Sequence, residues 1–202
     1  MSTTMTCWSC GKPPGAGAFC EACGKVQPAA PGSDHFAALG LERRFAIEAA
    51  EIERRYRNVQ RRLHPDRFVT KSVPERRLSL QRATAVNDAY RTLKDPLKRA
   101  EYMLALEGMP ADGEASPDLL AEILELREEL DAAKSAGDAA RIGELRAHVR
   151  RQQDDTMSAI ARAFEGSAPA QAAALVHRLR FIARFLEDAS GTVEARVQCP
   201  RS

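Results

Sequence analysis

RRLHPDRFV, residues 61–69, closes one helical pattern and forces the chain out of it. Upstream, Ile52, Tyr56, Val59 and Leu63 recur at intervals that place them on one stripe of a helix, while Arg54, Arg57 and Arg61 project from the opposite side. These three guanidinium groups have no acidic partners inside the stripe, which makes them a candidate binding face. His64 stands before Pro65, whose ring disfavours the α region for its predecessor, so the helix ends there. Ser72 and Glu75 then have the spacing of a capping box, and Ala85, Val86, Ala89 and Leu93 line one side of the helix it opens. The pattern predicts two antiparallel helices joined by an exposed His-Pro-Asp loop.

Working outward, the chain reads as all-α with a small cysteine-rich segment in front. From Phe36 onward Ala, Leu, Arg and Glu abound, and no period-two alternation persists long enough for a sheet. KVQPAAPGSD, residues 25–34, has the composition of a linker, and EGMPADGEASP, residues 107–117, interrupts the helical pattern again. There Gly108 suits a left-handed helix end, and Ser116-Pro117 offers an N-cap with proline at the first helical position. Three apolar periodic stretches follow, near residues 119–134, 139–164 and 169–188, as an antiparallel three-helix bundle requires. The expected division is a metal-binding segment at 1–24, a linker at 25–33, a helical-hairpin domain at 34–108, an interdomain linker at 109–116, the bundle at 117–190 and a tail at 191–202.

Charge and hydropathy exclude several function classes. Thirty lysines and arginines against 28 acidic residues leave no global positive field for nucleic acid or an anionic membrane. No apolar run approaches the roughly 20 residues that cross a bilayer. The start lacks the charged and apolar regions of a signal peptide, and the first arginine is Arg43, which argues against an organellar leader. The expectation is a soluble, cytoplasmic protein of bacterial type.

Cys7 and Cys10, then Cys20 and Cys23, form two C-x2-C pairs, each followed by a glycine, Gly11 and Gly24. Two intervening residues let both thiolates of a pair converge on one ion, and four thiolates complete a tetrahedral site. The spacing predicts structural Zn²⁺, with rubredoxin-like iron next and disulfides or redox pairs last. Cys199 stands alone and reads as an incidental thiol. His64 and Asp66 are not read as an acid–base pair, because proline separates them and no nucleophile or metal-ligand set adjoins them. No catalytic residue is assigned, and the chain is expected not to be an enzyme.

The stretch 34–108 resembles a J domain: DHFAALGL, residues 34–41, resembles its opening helix, and the His-Pro-Asp tripeptide follows a basic second helix. Beyond it, AVNDAYRTLKDPLKRAEYMLALEG, residues 85–108, and LELREELDAA, residues 124–133, resemble the HscB family, J-protein co-chaperones of iron–sulfur cluster assembly. Some relatives share a tetracysteine start. The resemblance implies that His64, Pro65, Asp66, Arg54, Arg57, Arg61 and Arg67 engage a DnaK-type chaperone ATPase, HscA-like in bacteria. It also implies that the bundle binds an IscU-type scaffold through positions corresponding to Leu120, Leu124, Glu125, Glu128 and Phe181. Ala121 stands where relatives often carry a larger apolar residue and Ala132 where some carry an acid, which implies weaker binding or a different scaffold preference.

Helical geometry points to the same strip independently. Leu119, Ile123, Leu126 and Leu130 make one buried stripe, leaving Leu120 and Leu124 about 100–140° away beside Glu128. On the last helix Leu175, Leu179, Ile182 and Leu186 make the core stripe, and Phe181, roughly 120° off it, is expected to be exposed between Arg180 and Arg184. His148 and His177 read as helix-surface residues, and Tyr56, Tyr90 and Tyr102 as packing. Two rival readings remain at this point. One is a general J protein whose cysteine segment binds unfolded clients. The other is a zinc-ribbon nucleic-acid binder, disfavoured because Lys12 and Lys25 are the only lysines or arginines in the first 42 residues.

Overall fold

The structure, a computed structural model, describes residues 6–15, 17–109 and 116–197, with side chains through Ser190. Cys199, most of the 109–116 linker and the end of the tail lie outside the described residues. The chain divides into two compact units between Asp95 and Pro96. Among the described residues the regular elements are helices, apart from one isolated antiparallel bridge between Phe19 and Val26. No described helix is long and apolar enough to cross a membrane.

In the first unit, α1 (His35–Leu39) is fixed at both ends. The Asp34 carboxylate accepts the Ala37 N–H at 2.7 Å, and Gly40 closes the helix with φ 66°, a left-handed conformation that costs glycine little. The helices α2 (Ala49–Leu63) and α3 (Val73–Lys94) pack on each other and on α1, with a 3₁₀ turn, Pro65–Phe68, between them. Ile52, Leu63, Val86, Ala89 and Leu93 are all buried along this contact. Each fully buried leucine or isoleucine contributes roughly 1.5–3 kcal/mol by area. Tyr56 is half-buried and stacks on Tyr90 with ring centroids 4.1 Å apart. The capping box forms: Glu75 Oε2 accepts from the Ser72 N–H at 3.4 Å and from its hydroxyl at 2.9 Å.

The cysteine-rich segment belongs to this same unit. Val26 and Gln27, linker-like by composition, are both buried, because Val26 bridges to Phe19 and the Gln27 amide turns inward to Cys7.

The second unit contains α4 (Pro96–Leu106), α5 (Pro117–Ala136), α6 (Ala139–Glu165) and α7 (Pro169–Val197). Ser116 caps α5 by accepting the Leu119 N–H at 3.2 Å, and Gly137 ends it at φ 68°. The helix α7 packs against α4, α5 and α6 and is therefore the centre of the unit. The three expected bundle helices thus carry a fourth, α4, held to α7 by Arg180, whose guanidinium donates twice to Glu101 at 2.6 and 3.1 Å. Leu126, Leu130, Val149, Ile182 and Phe185 fill the core between α5, α6 and α7.

One expectation fails here. Phe181 is only 8% exposed and lies in that core with Leu126 and Leu130, its ring 6.0 Å from Phe185. A helix flanked by three others buries more than one stripe, so an angle of 120° from the first stripe does not lead to water. Val176 and Phe185, also outside the expected stripe, are buried for the same reason.

Candidate functional site

The turn after α2 is held by bonds between its own side chains and backbone. His64 leaves the helix at φ −55°, ψ 130°, as the following proline requires. Its Nδ1 accepts the Asp66 N–H at 3.4 Å and lies 3.5 Å from Asp66 Oδ2. Arg67 donates to the Arg61 carbonyl at 3.4 Å, and the buried Phe68 anchors the turn beneath. The Asp66 side chain is 85% exposed and that of His64 53% exposed. An exposed carboxylate and imidazole on a fixed turn suit contact with another protein better than chemistry in an enclosed cleft.

Arg54, Arg57, Arg61 and Arg67 are all exposed beside this turn. Arg57 nevertheless has an acidic partner, Glu53, four residues back, to which its Nε donates at 2.8 Å. Glu53 also accepts the Tyr90 hydroxyl, and these two donors hold its carboxyl below the usual range. The stripe argument missed this pair because Glu53 sits at the edge of the buried face rather than on the basic one.

The four N-terminal sulfurs converge. All lie within 4.8 Å of one another, with Cys7 to Cys23 at 3.7 Å and Cys10 to Cys20 at 3.8 Å. A tetrahedron of thiolates 2.3 Å from one metal has edges of about 3.8 Å, so the residues present fit such an ion. A disulfide requires about 2.05 Å. The two knuckles repeat the same bonds: Gly11 N–H to the Cys7 carbonyl at 2.9 Å, and Gly24 N–H to that of Cys20 at 2.8 Å. Both glycines have positive φ, 72° and 71°. Burial raises the Cys7 pKa, but the Cys10 and Ser9 amides outweigh it and bring the thiol down to about 6. The Lys25 amide lowers Cys23, yet burial and the neighbouring sulfurs push it up to about 12. Four sulfurs this close suit one shared cation, whose binding would displace the thiol protons.

Sequence reasoning missed the residues that join this centre to the helices. Gln27 Nε2 donates to Cys7 Sγ at 3.3 Å. Lys25 pairs with the buried Glu75 at 2.8 Å, and its ammonium holds that carboxyl below the ordinary range. Arg82 donates to the carbonyls of Gln27 at 2.9 Å and Pro28 at 3.0 Å, and the Arg62 guanidinium lies 4.2 Å from the Phe19 ring centroid. A lysine directly after a C-x2-C-G knuckle and a glutamate in a capping box were both visible, but nothing in their spacing coupled them.

In the second unit the α5 strip is as periodicity places it. Leu120 is 49% exposed and Leu124 60% exposed, while Leu119, Leu126 and Leu130 are buried. Ala121, Glu125 and Glu128 are exposed on the same flank of the helix, as is Ala132 a turn further on. Glu122, at the edge of the core, is tied down by Arg178 at 2.6 Å and Gln152 at 2.7 Å. Phe181 does not join this surface, since it is packed beneath α5.

Known proteins share this architecture along its length. Residues 34–102 match the model of the DnaJ domain, and residues 115–190 match that of the HSCB C-terminal oligomerisation domain. The chain is 35% identical over 194 residues to the mouse iron–sulfur cluster co-chaperone protein HscB, covering 92% of this chain and 82% of that protein. It is 38% identical over 165 residues to the co-chaperone protein HscB homolog of Ralstonia nicotianae, covering 79% of this chain and 94% of that one. The crystal structure of human co-chaperone protein HscB superposes with a TM-score of 0.79 at 32% identity, over 92% of this chain and 97% of that chain. The chaperone HscB from Vibrio cholerae gives 0.71 at 32% identity, over 81% and 99%. A J domain, the matching helical C-terminal domain and similarity across most of both chains make this protein a member of the HscB family of iron–sulfur cluster co-chaperones.

Proposed function

We propose that this co-chaperone stimulates the ATPase of a specialised, HscA-like DnaK-type chaperone and delivers an IscU-type scaffold protein to it during iron–sulfur cluster assembly and transfer. The observation that carries the reading is the presence of one exposed surface on each compact unit: a polar, arginine-flanked turn on the first and an apolar, acid-edged strip on the second. His64, Pro65, Asp66, Arg54, Arg57, Arg61 and Arg67 form the chaperone face. Leu120 and Leu124 supply the apolar anchor for the scaffold, with Glu125 and Glu128 as its charged rim. Phe181 acts on that surface from below, by holding α5 against α7. One chain bearing both surfaces raises the effective concentration of scaffold at the chaperone without any new contact between them. The four cysteines hold structural Zn²⁺, whose closed thiolate set leaves no position for catalysis. Both partners are met in the cytoplasm, the compartment expected from the sequence.

The test is the steady-state ATPase rate of each DnaK-type chaperone of the organism, with and without this protein and the candidate scaffold. Synergistic stimulation of one chaperone by both proteins together supports the reading. Stimulation indifferent to the scaffold leaves the J domain its role and removes the one given to α5.

A further inference from the structure

The His64-Pro65-Asp66 turn has two stems, and the cysteine-rich segment touches both. On the α2 side, Arg62 is two residues before His64, and its guanidinium lies 4.2 Å from the Phe19 ring centroid, a cation–π contact. On the α3 side, Glu75 sits in the first turn, accepts from Ser72 and pairs with Lys25 at 2.8 Å. Further along α3, Arg82 clasps the Gln27 and Pro28 carbonyls. Lys25 and Phe19 are in turn fixed by the knuckles: Phe19 immediately precedes Cys20, and the Cys20 N–H donates to the Lys25 carbonyl at 2.8 Å. Gln27 completes the link by donating to Cys7 Sγ.

We infer that the four-thiolate centre is a metal-dependent brace on the chaperone-binding turn, so that metal occupancy sets how well the J domain stimulates its ATPase partner. The physical reason is order. The segment 6–27 has little apolar core of its own, and a site of this kind is assembled by its metal rather than before it. With the sulfurs uncoordinated, the four thiols lose their common anchor, and Lys25 and Phe19 lose their fixed positions. Glu75 is then left buried in the first turn of α3 without its ammonium partner, a costly state that the chain relieves by fraying that turn. Fraying there loosens the stem on which Asp66 is presented. The centre thereby acts on the J-domain turn as a positioning device, making no contact of its own with the chaperone.

This inference rests on the turn being the chaperone contact, so its test includes a readout independent of ATPase stimulation. Backbone hydrogen exchange of the full-length protein is followed with zinc bound and after removal by a chelator under reducing conditions, alongside chaperone stimulation and scaffold affinity. Exchange in residues 73–80 is expected to quicken roughly tenfold without metal, while amides of α5–α7 are unchanged. Stimulation falls in parallel, and scaffold affinity stays within about twofold. Lys25→Met, which keeps the zinc and the aliphatic stem, reproduces part of both effects. The inference is overturned if metal removal alters exchange only within residues 6–27, or if residues 73–80 loosen with no change in stimulation. Failure of the zinc-loaded protein to stimulate any chaperone would instead remove the functional reading, and the exchange data would still decide whether the brace exists.

Discussion

The helices α5 and α7 both carry apolar residues in more than one direction, yet their second strips end up in opposite environments. On α5, Leu120 and Leu124 face water. On α7, Phe181 and Phe185 are buried. The difference lies in the neighbours: α5 packs against α6 and α7, whereas α7 packs against α4, α5 and α6. An off-stripe residue on a helix with neighbours on one side is a surface residue, and on a central helix it is core. Similar angles off the first stripe thus lead to an exposed apolar strip on α5 and to core on α7.

That contrast is sharpened or broken by substitution, and the largest effect belongs to neither helix. Asp66→Ala should abolish ATPase stimulation while leaving scaffold binding and unfolding temperature unchanged, because an exposed carboxylate contributes little to the fold. If scaffold binding fell equally, the two surfaces would not be separable. Phe181→Ala should destabilise the second unit by about 3–5 kcal/mol, read as a lowered midpoint in denaturant, through the cavity it leaves among Leu126, Leu130 and Phe185. A midpoint near wild type would return Phe181 to the surface. Leu124→Ala should do the reverse: stability changes by no more than about 0.5 kcal/mol. Its scaffold affinity should fall on the order of tenfold in a titration of the full-length chain, the loss of one apolar anchor.

Two smaller effects test the first unit. Folded Glu75 is held below its ordinary value of 4.5 by Lys25, so its stabilising contribution is present at neutral pH and lost as pH falls through that lowered value. The gap in melting temperature between the wild type and Glu75→Gln should accordingly be widest near neutrality and close as the solution is acidified below 4.5. A gap that widens with acid would mean that the carboxylate is not stabilised by its partner. Arg57→Ala should weaken chaperone stimulation less than Arg61→Ala, because Arg57 already spends its charge on Glu53. Equal losses in an ATPase titration would show that the pair opens on binding.

Legibility followed the range of the interactions. Pro65 ending α2, Ser72 and Glu75 opening α3, Ser116 capping α5 and the two cysteine knuckles are set within a few residues, and all could be read before any packing was known. So could the exposure of Leu120 and Leu124, which needs only the helical repeat and one buried face. Where α4 docks is not of this kind: the sequence breaks at residues 107–117, but the packing divides between Asp95 and Pro96 because α4 finds its partner in α7, through Glu101 and Arg180.

What the amino-acid sequence determined by itself was therefore the all-α class, the hairpin with its His-Pro-Asp turn, the tetrathiolate cluster and the apolar strip on α5. Only the tertiary structure decided that Phe181 is core, that Arg57 is paired and that Val26 and Gln27 are docked rather than a free linker. It also decided that Lys25 reaches Glu75 across 50 residues of chain. Local rules act through bonds and one helical turn, whereas burial and distant ion pairs depend on how many neighbours an element acquires, which no periodicity counts.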